Sequence, residues 1–314
     1  MIYNEIYNFC KVRDEDRKKY SNRAKFLDNL LTRLGIEHKI VRTKSKRYKK
    51  YFYNIYCFGS SDKFLSAHYD IVDIKADNAN DNSASVINCI AYKLKNPSIN
   101  LLILDGEEPP FMGVGSNLAA KYLKINNIPV KWIFNLELTG TGNTFFIDDI
   151  PTPLSACIQK HFPEAFVTAT PFNDAAIFRQ HGLVSNVVTV VNSKEETFPI
   201  TPINMRFGEW VDEIESILQV NFTEELENYD INDILYNNWR NSITPEETAE
   251  DILILMNEIK EKSQFPEIET ETRKVADMAP LYISHSPKDS VDKMSTDDMR
   301  NFVDNVVDVI VKKC

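Results

Sequence analysis

The sequence predicts an α/β protein with a mixed, mostly parallel central sheet between helix layers and a helical insertion. Three observations carry this. Short apolar segments alternate with segments of helical periodicity from about residue 60 to 192. One segment, "INLLILD" at 99–105, is wholly apolar, as in a strand covered on both faces. Strand signals then fade between 200 and 275, where the helical pattern continues.

From Asp14 to Leu34, apolar residues recur at helical spacing (Ala24, Leu27, Leu30, Leu31, Leu34), and Gly35 supplies a stop. "HKIVR", "YFYNIYCF" and "KFLSAHY" read as strands divided by polar turns. "SASVINCIAYKL" reads as a helix, "INLLILD" as a strand, "GSNLAAKYLK" as a helix and "KWIFNLELT" as a strand. "LSACIQKHF" and "AAIFRQHG" follow as helices and "LVSNVVTVV" as a strand. Residues 200–279 are expected to form a helical insertion, in which Thr244, Pro245 and Glu247 open one helix as a capping box. The main domain is then 1–199 with 280–314, closing on the helix "DDMRNFVDNVVDVIVKK". Such an insertion shapes a pocket or a dimer contact, or only decorates the surface, so homo-oligomerisation is left open.

The 314 residues are 43% apolar and carry a net charge of −10, enough for a large core. That charge argues against nucleic acid or an anionic membrane as a partner, since both need a positive footprint. Residues 42–50, "RTKSKRYKK", hold six basic side chains and are expected to form a solvated hairpin tip. Five cysteines without CxxC or regular spacing suggest no disulfide framework, and Cys314 is expected as an exposed thiol. With no signal-peptide run and no long apolar segment, a reduced, cytoplasmic setting is the expectation.

In an open α/β sheet the site lies beyond the carboxyl ends of the strands. The polar residues there are His68 and Asp70, Asp81 in "NANDNSAS", Glu107 and Glu108 after "LLILDG", Glu137 after "WIFNL", and His285 after "LYIS". Each alone is a weak signal, and their shared order is the informative feature. Several ionised carboxylates gathered in a partly dry cleft repel one another and lose hydration worth several kcal/mol apiece, so a cation is needed. Imidazole and carboxylate donors without thiolate suit zinc, with manganese or cobalt as substitutes.

The pattern "HYD...NDNSAS...LDGEE...GS...NLELTG...HSPKDSVDKM" resembles the M28 family of zinc exopeptidases, over roughly 60–192 and 281–310. The resemblance implies two zinc ions, one held by His68 and Glu137, the other by Glu108 and His285, with Asp81 bridging. It implies Glu107 as general base and Asp70 as the partner that orients His68. The implied reaction is removal of N-terminal residues from peptides by a zinc-activated water. The family usually has Asp where this chain has Glu137, a carboxylate on a longer arm. Asp289 is noted as a further supporting acid, and Asp174 as a residue near the family's substrate pocket.

Two rivals stand beside this reading. Glutaminyl cyclases are similar to the same family but use one zinc for an intramolecular amide exchange. An inactive scaffold of the same fold is the other, and the retention of every ligand and of the base opposes it. Asp73 and Asp77 are expected to be solvated loop residues, His38, His161 and His181 surface or helix-end histidines, and Gly113, Gly115 and Ser116 a turn into a helix.

Overall fold

The computed structural model describes residues 2–13, 21–45, 47–71, 77–108, 110–168, 170, 173–191 and 289–314. Within them lies one eight-stranded sheet in the order β1-β2-β4-β3-β5-β8-β6-β7. The strands are β1 Lys39–Lys44, β2 Tyr51–Cys57, β3 Lys63–His68, β4 Asn100–Leu104, β5 Trp132–Glu137, β6 Thr144–Asp148, β7 Phe166–Thr168 and β8 Ser185–Val191. The central strands β4, β3, β5 and β8 run parallel, flanked by antiparallel β2 and β6, so the expected mixed and mostly parallel sheet is present.

Successive side chains of a strand point to opposite faces, and the central strands are apolar on both. Leu65, Ala67, Leu101, Ile103, Phe134 and Leu136 join the larger core. On that side pack α2 (Asn22–Arg33), α3 (Ser85–Lys95), α5 (Pro153–His161) and the closing helix, formed by α7 (Thr296–Phe302) and α8 (Asp308–Lys313) through a wider turn at Val303–Val307. Phe64, Leu102, Leu104 and Ile133 point the other way, onto α4 (Val114–Ile125) and α6 (Asp174–Gln180). A short helix, α1 (Glu5–Phe9), buries Ile6 and Phe9 in the larger core.

Several expectations are corrected. The helix α2 begins after Ser21, whose hydroxyl accepts the Ala24 N–H at 3.0 Å; residues 14–20, expected as its first turns, lie outside the described residues. Strands β6 and β7 were not foreseen, because β7 has three residues and β6 gains its pairing from distant β8. Cys157 on α5 and Cys314 form a disulfide across 157 positions of sequence, against the expectation of free thiols. Only the docking of the closing helix against α5 brings these two together, so spacing alone could not reveal it. Cys10, Cys57 and Cys89 are buried free thiols. The expected helical insertion at 200–279 lies outside the described residues, as does His285. Among the described residues, no helix is long and apolar enough to cross a membrane.

The register of the sheet positions the site. His68 pairs with Leu104, and Ser66 pairs with Asn135, which sets His68 level with Glu137 two residues further on. The loop after β4 then carries Glu107 and Glu108 over the same edge. That loop is pinned by a close approach: a Cβ on Gly115 would lie 2.0 Å from the Asp105 carbonyl oxygen, a backbone atom that cannot swing away. Gly115→Ala is therefore expected to destabilise the protein by about 1–3 kcal/mol in urea denaturation, the cost of overpacking a fixed contact. An unchanged midpoint would contradict the close packing of α4 on this loop.

Candidate metal centre

His68 is 1% exposed at the end of β3, and the charges around it come from four separate segments. Its Nε2 lies 3.1 Å from Asp81 Oδ1, 3.4 Å from Glu137 Oε2 and 3.8 Å from Glu107 Oε2. Its Nδ1 lies 3.5 Å from Asp70 Oδ1, longer than a good hydrogen bond. His68, Asp81 and Glu108 each offer one ligand atom, all within 4.8 Å of one another, and all three residues are buried. Of the sequence-predicted site, the structure brings together His68, Asp70, Asp81, Glu107, Glu108 and Glu137.

The electrostatics of this cluster are unbalanced toward negative charge. Burial disfavours the His68 imidazolium, yet the negative charges of Glu137 and Glu107, with Asp70 and Asp81 alongside, hold its pKa well above the ordinary histidine value. Burial pushes Glu107 well above the carboxylate range, against the pull of His68 and with repulsion from Glu108, Glu137 and Asp174. Burial likewise raises Glu137, again opposed by His68. One imidazole cannot neutralise so many acids, and the donor set of one nitrogen and several oxygens fits a divalent ion such as zinc.

A set of supports aims the ligands. Asp70 accepts the backbone N–H groups of both Glu107 and Glu108, each at 3.1 Å, so one carboxylate orients the whole Glu-Glu turn. Asn82 Nδ2 donates to Glu137 Oε2 and, at 2.8 Å, to the Leu136 carbonyl, while Asn135 Nδ2 donates to Glu137 Oε1 at 2.9 Å. Asp289 accepts the N–H of Asn80 at 2.6 Å and of Asp81 at 3.1 Å, tying the loop of Asp81 to the segment ahead of the closing helix. A cis peptide joins Asp81 to Asn82.

Sequence reasoning missed Arg23. It is fully buried on α2, donates from Nε to the Tyr69 carbonyl at 2.6 Å and from Nη2 to the Ser83 hydroxyl at 2.8 Å, and lies over the Phe9 ring at 3.9 Å. It thus braces the chain between His68 and Asp70 and the loop just past Asp81. No local motif announced it, since helix periodicity placed it among polar positions. Asp77 corrects another expectation: it pairs with Arg13 at 3.2 Å and accepts the Val291 N–H at 3.0 Å, so it is a structural tie rather than a solvated acid. Asp73 lies outside the described residues. His38 contacts Asp28 Oδ1 and the Ile36 carbonyl, each at 2.8 Å, and His181 ends α6 beside Asn117, in keeping with their surface and helix-end reading. Gly113, in the left-handed conformation, leads into α4, as expected of a turn.

Asp174 opens α6, is fully buried, and neither of its carboxyl oxygens has a hydrogen-bond partner among the described residues. The neighbouring Ser116 hydroxyl donates instead to the Gly113 carbonyl at 3.0 Å. Burial pushes the Asp174 carboxyl up to about 7, against the attraction of His68 and with repulsion from Glu137 and Asp70.

No protein-family model matches the chain, and no curated protein matches it. Among solved structures it is similar to the LapA aminopeptidase of Legionella pneumophila, with 16% identity over 61% of this chain and 60% of that one and a TM-score of 0.50. It is also similar to a glutaminyl cyclase of Porphyromonas gingivalis, with 16% identity over 62% of this chain and 83% of that one and a TM-score of 0.51. The chain thus matches less than two thirds of the LapA length. At these identities the likeness establishes the α/β exopeptidase-like architecture, the fold class expected from the sequence.

Two expectations follow. In the metal-free protein a folded-state pKa near 7 for Asp174 exceeds the unfolded value, so its penalty is absent below about pH 4, grows between about pH 4 and 7, and is fully present above 7. Asp174→Asn should therefore stabilise the metal-free chain by about 2–4 kcal/mol at pH 8 and leave it unchanged at pH 3, as read by denaturant titration. Asp289→Ala should retain the circular dichroism of the parent but weaken zinc affinity about tenfold to a hundredfold in competition with a chromophoric chelator, because the Asp81 backbone loses its anchor.

Proposed function

We propose that this chain is a metal-dependent aminopeptidase. The observation that carries the reading is the buried grouping of His68, Asp81 and Glu108, with the carboxylates of Glu137 and Glu107 3.4 Å and 3.8 Å from His68 Nε2. In this reading His68, Asp81, Glu108 and Glu137 would hold zinc, with His285, outside the described residues, as the further ligand of a second ion; manganese or cobalt could substitute. Bound metal supplies Lewis acidity toward the scissile carbonyl and lowers the pKa of the attacking water.

The chain's own groups do the rest. Glu107 takes the proton from the attacking water at its carboxylate and delivers it to the departing amine. Asp70 keeps the Glu107–Glu108 turn aimed through its two backbone contacts and stands behind His68. Asn82 and Asn135 hold both oxygens of Glu137, which offsets the freedom of a side chain one methylene longer than aspartate.

A second reading, a single-zinc glutaminyl cyclase, is favoured by the match that covers 83% of the Porphyromonas gingivalis enzyme. Metal content and substrate separate the two. The aminopeptidase reading expects about two metal ions per chain and release of N-terminal residues from aminoacyl-amides, whereas the cyclase reading expects one ion and turnover only of N-terminal glutaminyl peptides. Glu107→Gln should lower kcat about a hundredfold or more while retaining bound metal. A parent protein that binds no zinc, or a Glu107→Gln variant with undiminished rate, would overturn the proposal.

A further inference from the structure

The basic hairpin between β1 and β2 has a place in the fold that a solubilising tip does not require. Residues 38–61 contain no aspartate or glutamate, yet hold Lys39, Arg42, Lys44, Lys46, Arg47, Lys49 and Lys50, on a chain whose net charge is −10. Arg42, Lys44, Arg47, Lys49 and Lys50 are exposed, and none forms an ion pair with a carboxylate among the described residues. Several instead lie against aromatic rings: Arg42 is 3.6 Å from the Tyr51 centroid, Arg47 is 5.2 Å from that of Tyr48, and Lys50 is 5.1 Å from that of Phe111.

Phe111 joins this hairpin to the metal centre. Its ring meets Tyr48 at 5.3 Å and Phe52 at 5.1 Å, both edge to face, and its backbone N–H donates to the carbonyl of the ligand Glu108 at 2.8 Å. The same loop is held twice more by β2. The Tyr53 N–H donates to Asp105 Oδ2 at 2.9 Å, and the Asp105 N–H donates to Asn54 Oδ1 at 3.0 Å. The cationic tip is therefore docked on the wall that carries Glu107 and Glu108, rather than projecting free of the site.

We propose that this hairpin is a substrate-recruitment surface, and that the preferred substrates are peptides with acidic residues downstream of the residue removed. The inference rests on the aminopeptidase reading, in which a peptide fixed by its amino end must run outward past one wall of the site. Each exposed cation contributes little alone, but several of one sign act together on encounter and on KM at low salt. A long polyanion such as nucleic acid is opposed by the negative charge of the remaining surface.

The test compares Leu-Ala-Glu-Glu-Glu-amide with Leu-Ala-Ser-Ser-Ser-amide on the zinc-loaded protein. We expect kcat/KM about tenfold higher for the acidic peptide at 20 mM salt, carried by KM and erased at 0.5 M salt. In Arg42→Gln/Lys44→Gln/Arg47→Gln/Lys49→Gln that ratio should fall about threefold or more; these side chains are exposed, and Lys50, which lies on the Phe111 ring, is left in place. Equal values for the two peptides in the parent, or a ratio unmoved in the quadruple variant, would overturn the proposal. Fluorescence anisotropy with the labelled acidic peptide gives a readout independent of turnover. Salt-sensitive binding that the quadruple variant loses supports the hairpin's role even if no peptide is cleaved, which would count against the aminopeptidase reading alone. Tighter binding of a single-stranded oligonucleotide than of the acidic peptide would overturn the proposed substrate class.

Discussion

The structure depends on one electrostatic constraint: too much negative charge is buried at the ends of the parallel strands for a single imidazole to balance. Asp81, Glu107, Glu108 and Glu137 converge near His68, and Asp174 lies buried within their field. Like charges at this separation in a dry cleft are unfavourable by several kcal/mol unless protons or a metal ion compensate. The raised pKa values of His68, Glu107 and Asp174 are that imbalance expressed as proton affinity. A fold that tolerates it must hold the acids in place against their mutual repulsion.

Three kinds of contact do so. Backbone register in the sheet sets His68 and Glu137 at one level, and these positions cannot slip without exposing the apolar faces of β3 and β5. Side chains with fixed hydrogen-bonding geometry, Asp70, Asn82, Asn135 and Asp289, aim the loops that follow. The buried Arg23 supplies positive charge and donors behind the cluster, linking the backbone beside His68 to Ser83. The C-terminal segment takes part through Asp289 and through the Cys157–Cys314 disulfide that fastens the closing helix to α5. The site is therefore assembled from both ends of the chain.

Much of this was legible in residue order. The short apolar runs in "KFLSAH", "NLLIL" and "WIFNLE" mark their strands, because covered parallel strands demand apolar side chains on both faces. The positions of His68, Asp81, Glu107, Glu108 and Glu137 after those segments followed, because loops at the carboxyl edge of such a sheet face one cleft. Short strands such as β7 escaped notice, since three residues carry little periodicity. Asp77 was misread because its partners, Arg13 and the Val291 N–H, are 64 and 214 positions away.

By itself, then, the sequence determined the architecture and the inventory of acids and imidazole, since hydrophobic patterning and strand ends are local properties. Only the tertiary structure decided which groups aim the clustered acids, where the acidic burial of Asp174 falls, that two distant cysteines meet, and that a basic hairpin rests on the wall carrying Glu107 and Glu108. The reason is physical. Hydrogen-bond geometry, desolvation and long-range pairing depend on distances between segments far apart in the chain, and those distances exist only once the sheet has formed.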